Sequence, residues 1–406
     1  MQSGTSADGI DVALVEVEAS GTEELAVAIE AWGTESWHPQ ERALVLRAIA
    51  GEPLDPREWC ELETVVGQAF ARAAVRAIGD RAWPDAVCSH GQTVFHGVEG
   101  GAVWGTLQVG EPAWIARATR LPVLFNLRVA DVAAGGNGAP LITAFDARWL
   151  ADAVAGADAP IASLNLGGIA NLQVVHPDGS VLGFDTGPAN ALLDAWITRE
   201  TAGAETFDRD GRHAAAGHVD DELLERLRAH PYFALAAPKT TGRETFSTAL
   251  LDDAIGAATG GSSAGAGAVA TGDARPTMDD VCATLVELTA TTVAEALAVA
   301  APGTARVVVS GGGARNRTLM ARLRDLVGVP VDPSDAWGIP GDAREAVMFA
   351  VLAYLSTARV PLELPGTPQG RAAVAGQWDL SLAPLPVVPP LTRVRRLHIT
   401  TREDRA

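Results

Sequence analysis

The chain has 406 residues, 48% of them hydrophobic, and a formal charge of −19 from 31 basic and 50 acidic side chains. That length holds two domains with full cores, and that charge excludes binding to nucleic acid through a basic surface. Its apolar stretches are interrupted before the 18 residues that a membrane span needs, and the N-terminus lacks the basic-then-apolar pattern of an export signal. Cys60, Cys88 and Cys282 lie far apart without metal-ligand spacing, so the expected setting is a reducing cytoplasm, with no membrane or nucleic-acid partner.

The first stretch of interest, Ser3-Gly4-Thr5-Ser6-Ala7-Asp8-Gly9-Ile10-Asp11, runs into an alternating strand over Val12–Glu18. Small, hydroxylated and glycine residues at a strand entrance offer N–H and hydroxyl donors to a phosphate, although a hairpin turn would use many of the same residues. Helical periodicity follows over Glu41–Ala50 and Glu58–Ile78, with Leu62, Val65, Val66, Ala69 and Phe70 on one face. A short buried strand, Ala86–Ser89, then delivers His90-Gly91-Gln92-Thr93-Val94-Phe95-His96. His90 and His96 are not at metal spacing, so they read as polar strand-end residues lining a cleft, or as structural ones. Another strand over Leu121–Asn126 leads to Arg128 and Asp131 beside Gly135-Gly136-Asn137-Gly138-Ala139-Pro140, a glycine cluster that suits a hinge, a ligand corner, or both.

The second half is organised around NLGGIANLQVVHPDGSVLGFDTGPAN, residues 165–190. It predicts strands over Ala170–Val175 and Ser180–Phe184 joined at Pro177-Asp178-Gly179. Gly167-Gly168 and Gly187 mark corners at its ends, where backbone can approach a ligand. Asp185 is expected at the end of the second strand with its carboxylate facing a cleft; capping the helix that begins near Ala189 is the alternative. The sequence has one lysine, Lys239, in Pro238-Lys239-Thr240-Thr241-Gly242-Arg243-Glu244. Residues 256–277 are low-complexity. They contain G-x-S-x-G and G-x-G-x-x-A matches, but no predicted strand precedes either, which removes the hydrolase-elbow and dinucleotide readings. A long helix over Met278–Ala300 precedes the strand Ala305–Ser310, which opens into Gly311-Gly312-Gly313-Ala314-Arg315-Asn316, a place for a nucleotide to lie on bare backbone. Gly338–Glu345 starts a helix over Ala346–Ser356, and the tail after about Arg371 carries strand-like pieces and many prolines.

No G-x-x-x-x-G-K-[ST] is present, so a P-loop is excluded. Several glycine corners at strand ends, most with an Asp or Arg nearby, suit two α/β halves performing phosphoryl transfer, where positioning and charge neutralisation carry catalysis and one carboxylate handles a proton.

In order, SGTSADGID, HGQTVFH, the run from Arg128 to Leu141, NLGGIANL, GFDTGPAN, PKTTGRETF, SGGGARN and GDAREA resemble the anhydro-N-acetylmuramic acid kinases, over roughly residues 3–360. That resemblance implies an α/β fold of two actin-like, ribonuclease H-like lobes around a nucleotide cleft: an N-terminal lobe over 1–135 and a C-terminal lobe over 136–406, with the end of the chain free to pack back on the first. It implies ATP and Mg²⁺, with no metal ligands named, and an amino-sugar substrate opened by water and phosphorylated on O6. Gly4, Thr5, Ser6, Ala7, Asp8, Gly9, Ile10 and Asp11 would hold phosphates. Gly167, Gly168, Gly187, Gly311, Gly312, Gly313 and Asn316 would complete the nucleotide side. Asp185 would be the base that activates water, and His90, Gln92, Arg128, Asp131, Lys239, Arg243 and Glu345 would face the sugar. A second copy of the chain is left open as a partner. Another sugar or carboxylate kinase of the superfamily, and a non-catalytic ATP-binding protein built like actin or a chaperone, are the competing readings. Relatives carry a strand before the segment matching Ser3 and an Asp where Asn126 stands; here only Met1-Gln2 comes before Ser3.

Overall fold

A computed structural model describes residues 1–4, 6–100, 102–242, 245–258 and 276–401. Thr5, Arg243 and the G-x-S-x-G and G-x-G-x-x-A segments lie outside the described residues. The chain divides into two compact units, Met1–Asp152 with Trp337–Ala406, and Ala153–Ala336. Both are mixed α/β, the class expected.

The first unit opens with β1 (Ile10–Ala19), β2 (Glu24–Glu35), α1 (Pro39–Ile49), α2 (Pro56–Ile78), β3 (Val87–Cys88), β4 (Gln92–Glu99) and β5 (Ala102–Val109). It continues through α3 (Pro112–Thr119), β6 (Val123–Phe125), α4 (Val129–Ala133) and α5 (Ile142–Trp149). Helix α2 starts where the sequence supplies a capping box. Asp55 accepts from the Glu58 N–H at 2.8 Å, Glu58 accepts from the Asp55 N–H at 2.9 Å, and Pro56 occupies the first turn. Of its predicted apolar face, Leu62, Val66, Ala69 and Phe70 are fully or nearly fully buried.

The second unit follows, with α6 (Ala151–Ala157) leading into β7 (Ile161–Leu166), β8 (Ile169–Val175), β9 (Val181–Pro188) and α7 (Asn190–Glu200). After these come α8 (Arg212–Ala216), α9 (Asp221–Arg228), α10 (Thr248–Ala258), α11 (Met278–Ala300), β10 (Arg306–Ser310), α12 (Arg317–Val327) and β11 (Val331–Pro333). Its sheet runs β11-β10-β7-β8-β9, with β11, β10 and β7 parallel and the β8–β9 hairpin antiparallel. Leu164, Leu166, Leu172, Val174 and Phe184 join the core formed with α7, α11 and α12. Strand alternation turns Ser163, Asn165, Asn171, Gln173 and Asp185 to the opposite face. Helix α11 is long and apolar enough to cross a membrane, but two-thirds of that apolar window is buried inside the protein, as in a core helix.

The chain then returns to the first unit as α13 (Arg344–Thr357), β12 (Gln377–Asp379) and β13 (Arg396–Thr401). Strand β13 adds to β2 in parallel and β12 pairs with β6, so the proline-rich tail completes two sheets, β1-β2-β13 and β12-β6-β3. Helix α5 packs on α13 and β13, which keeps residues 136–152 with the first unit. Met1–Ser3 bridge the two sheets. The Met1 amine donates to the Cys88 carbonyl at 2.8 Å, the His90 N–H donates to the Met1 carbonyl at 2.9 Å, and Gln2 and Asp11 exchange backbone bonds of 3.0 and 2.8 Å. Beside them lies a cavity of about 160 Å³ lined by Val12, Leu14, Ala74, Val87, Ala350 and Tyr354, among others.

Candidate active site

In the second unit, Ser310 pairs with Asn165 at the C-terminal ends of the parallel strands β10 and β7, so the two glycine corners that follow, Gly167-Gly168 and Gly311–Gly313, meet. A Cβ on Gly313 would lie 2.6 Å from the Leu166 Cβ, so glycine is required for this approach. Around Gly312 nothing lies within 4 Å of such an atom, and its bare backbone faces open space. The corner is tied down by Asn190, whose Nδ2 donates to the carbonyls of Leu166 and Gly167, each at 2.9 Å. Asn316 is buried and caps α12 by accepting from the Leu319 N–H at 3.0 Å.

Asp185 does not leave the strand, as the sequence suggests, because β9 continues to Pro188. A register shift between Ala170 and Asn171 absorbs the glycine-bearing end and keeps Asp185 paired opposite Asn171. Nor does it cap α7, whose N-cap is Ala189 without a side-chain bond. Its Oδ1 accepts from Asn171 Nδ2 at 2.6 Å, and its Oδ2 accepts from Thr240 Oγ1 and the Thr241 N–H, both at 2.9 Å. The backbone is pinned as well: the Asp185 N–H donates to the Lys239 carbonyl at 2.9 Å, and the Tyr232 hydroxyl donates to the Asp185 carbonyl at 2.6 Å. Burial pushes the carboxyl above its usual range, while the bonds from Asn171, Thr241 and Thr240 pull it back.

Lys239 belongs to this knot. Its ammonium donates to the carbonyls of Tyr232 and Phe233 at 3.2 and 3.4 Å and sits 4.6 Å from the centre of the Tyr232 ring. Two of its three N–H donors are thus used within the unit. Gly187 packs its backbone on Phe233, where a Cβ would lie 2.7 Å from the ring.

In the first unit the Gly4–Asp11 turn is held by the Ala7 N–H on the Gly4 carbonyl at 2.9 Å, by Arg42 Nε on the Ala7 carbonyl at 2.7 Å, and by Gln92 Nε2 on the Gly4 carbonyl at 3.1 Å. Ile10 points into the core, whereas Asp8 is exposed. Asp11 accepts from Gln2 Nε2 at 2.8 Å and Thr34 Oγ1 at 2.7 Å. His90 stacks on Phe349, with ring centres 4.7 Å apart, and its Nε2 accepts from Arg128 Nε at 3.3 Å. Burial, then Arg128, push its pKa well down, so the ring is neutral with its proton on Nδ1. Burial lowers the Arg128 pKa to about 10, which leaves it charged at neutral pH, and raises that of Glu345. Asp131 turns into its own loop and accepts from the Gly138 N–H at 2.7 Å and from Thr367 Oγ1.

The residues present fit a polar ligand. His90 Nδ1 and Gln92 Oε1 are buried without hydrogen-bond partners beside the Gly4 turn, a condition that costs stability until something bonds to them. Around Gly312 the open backbone fits a nucleotide. Among the described residues no three His, Cys, Asp or Glu side chains come together as metal ligands, so a Mg²⁺ here would take most of its ligands from phosphate and water oxygens. Asn171, Thr240, Thr241 and Tyr232 are absent from the candidates that the sequence suggests. The signal for Asn171 was the polar alternation through NLGGIANLQ, and that for Thr240 and Thr241 the hydroxyls of PKTTG; Tyr232 carries none.

The family model described as anhydro-N-acetylmuramic acid kinase matches residues 1–376. A protein named anhydro-N-acetylmuramic acid kinase from Streptomyces coelicolor is 45% identical over 389 residues, covering 95% of this chain and 94% of its own. Proteins of the same name from Rhodococcus erythropolis, 41% identical over 89% of this chain and 88% of theirs, and from Xanthomonas campestris, 44% identical over 90% and 92%, are also similar. The chain belongs to the anhydro-N-acetylmuramic acid kinase family.

Proposed function

We propose that the chain is an ATP-dependent kinase that opens the 1,6-anhydro bond of anhydro-N-acetylmuramic acid with water and places phosphate on O6, giving N-acetylmuramic acid 6-phosphate. The observation that carries this reading is the state of the Asp185 carboxylate. An ionised carboxylate offers about four lone-pair sites. Two on Oδ2 and one on Oδ1 are taken by Thr240, Thr241 and Asn171, so the unspent lone pair is on Oδ1. Burial raises its basicity, as a general base working near neutral pH requires.

In this mechanism a water oxygen bonds to C1 of the sugar as its proton passes to Asp185 Oδ1. The C1–O6 bond breaks, its electron pair stays on O6, and O6 bonds to the γ-phosphorus as ADP departs. When bound, ATP with Mg²⁺ supplies the phosphoryl group and neutralises its charge. The chain's own residues position the reactants: Gly4–Asp11, Gly167, Gly168, Gly187, Gly311–Gly313 and Asn316 on the nucleotide side, and His90, Gln92, Arg128, Lys239, Arg243 and Glu345 toward the sugar, with Asp131 bracing the loop that follows Arg128. Arg128, charged though buried, suits the lactyl carboxylate. We place the reaction in the cytoplasm, where ATP is available and the free thiols of Cys60, Cys88 and Cys282 stay reduced.

The test is ADP release with and without 1,6-anhydro-N-acetylmuramic acid, run in ¹⁸O-water. Release that depends on the sugar, with one ¹⁸O on C1 of the product, is expected. Release indifferent to this sugar would reject the reading in favour of another kinase or a nucleotide-gated binding protein.

A further inference from the structure

Asn171 faces Asp185 directly across the β8–β9 pair and faces Asn165 across β7–β8, while Asn165 in turn pairs with Ser310. A polar row thus crosses four strands, from the residue before the triple glycine to the carboxylate. One place along on the same face, Gln173 is fully buried and its Nε2 donates to Asn171 Oδ1. An asparagine amide can offer a neighbour either its oxygen or its NH₂. With the oxygen engaged by Gln173, only the NH₂ remains for Asp185, and it donates at 2.6 Å. The opposite orientation would set oxygen against oxygen.

We propose that Asn171 is a positioning residue for Asp185: locked in one orientation by Gln173, it holds Oδ1 so that the remaining lone pair on that atom points at the attacking water. This rests on the reading of Asp185 as the base. Thr240 and Thr241 hold the other oxygen, so Asn171 is the donor that decides which way Oδ1 presents itself. Among the described residues, two other titratable groups lie close to Asp185. Tyr232 bonds to the backbone carbonyl, and the Lys239 ammonium is turned to the carbonyls of Tyr232 and Phe233. Removing the Asn171 donor therefore leaves burial less opposed, and the carboxyl should hold its proton to higher pH.

The experiment measures single-turnover rates of sugar phosphorylation against pH for wild type, Asn171→Leu, Gln173→Met and Asp185→Asn, with melting temperatures as the check on folding. Asn171→Leu is expected to slow the reaction about 10- to 100-fold, the loss that follows from removing a bond to a charged group, and to move the acid limb up by about one pH unit or more. KM for ATP should stay within about twofold. Gln173→Met, uncharged and of similar volume, removes the donor that fixes Asn171 without adding a charge beside Asp185, and should move the limb the same way while leaving Asn171 in place; it decides the matter if Asn171→Leu does not fold. An acid limb unmoved in the folded variants overturns the role of Asn171. Near-normal turnover in Asp185→Asn instead overturns the reading of the base on which the proposal rests.

Discussion

A Cβ on Gly311 would stand 2.4 Å from Asn165 Oδ1 and 2.9 Å from the Leu166 carbonyl oxygen, and the residue sits at φ +82°. Both the contact and the dihedral reserve this position for glycine. Gly311→Ala should therefore cost about 1–3 kcal/mol of stability and weaken binding of a non-hydrolysable ATP analogue. Gly312→Ala meets nothing within 4 Å and should leave stability nearly unchanged while still weakening the nucleotide. Thermal melts and analogue titrations on the pair separate packing from binding; equal melting temperatures in the two variants would contradict the geometry.

Asp146 and Arg344 form an ion pair whose side chains are 0% and 3% exposed, with the guanidinium also 5.6 Å from the Trp149 ring centre. Breaking such a pair strands a buried charge, so Asp146→Ala should destabilise the protein by about 3–5 kcal/mol in chemical denaturation. The double variant Asp146→Leu with Arg344→Met removes both charges and should recover most of that loss. A double variant no more stable than the single one would show that the cost lies elsewhere.

His213 links Asp279, at 2.7 Å from Nδ1, with Glu205, at 3.2 Å from Nε2. Burial opposes its charge, but the bonds to Asp279 and Glu205 prevail and its pKa is raised. A cation favoured by folding contributes stability that is fully present below the unfolded value of about 6.5 and is lost as pH rises through the higher folded value. Melting temperatures of wild type and His213→Leu should therefore differ most below that value and converge at alkaline pH. Parallel curves would remove the ionic contribution.

Much of this fold is legible in local sequence. The hairpin of residues 169–188, the capped α2 and the strand before the triple glycine each carry their own turn or cap chemistry. What escapes local reading depends on partners remote in the chain. β13 is assigned by pairing with β2 over 370 residues away, and β12 by pairing with β6; the tail shows strand-like pieces in sequence, but nothing local names the strands they join. At the site, Asp185 stands out through FDTGP, but its placement inside β9 depends on the bulge at Ala170/Asn171. Its partners Thr240 and Thr241 arrive from a loop that only tertiary packing brings to it.

Exchange of Asp185 for asparagine keeps the shape of the side chain and removes its capacity to take a proton. Asp185→Asn should lower sugar-dependent turnover by about 10²–10⁴-fold while the ATP analogue binds within about threefold of wild type, which is under 1 kcal/mol. Turnover close to that of the unaltered enzyme would contradict the reading of Asp185 as the base.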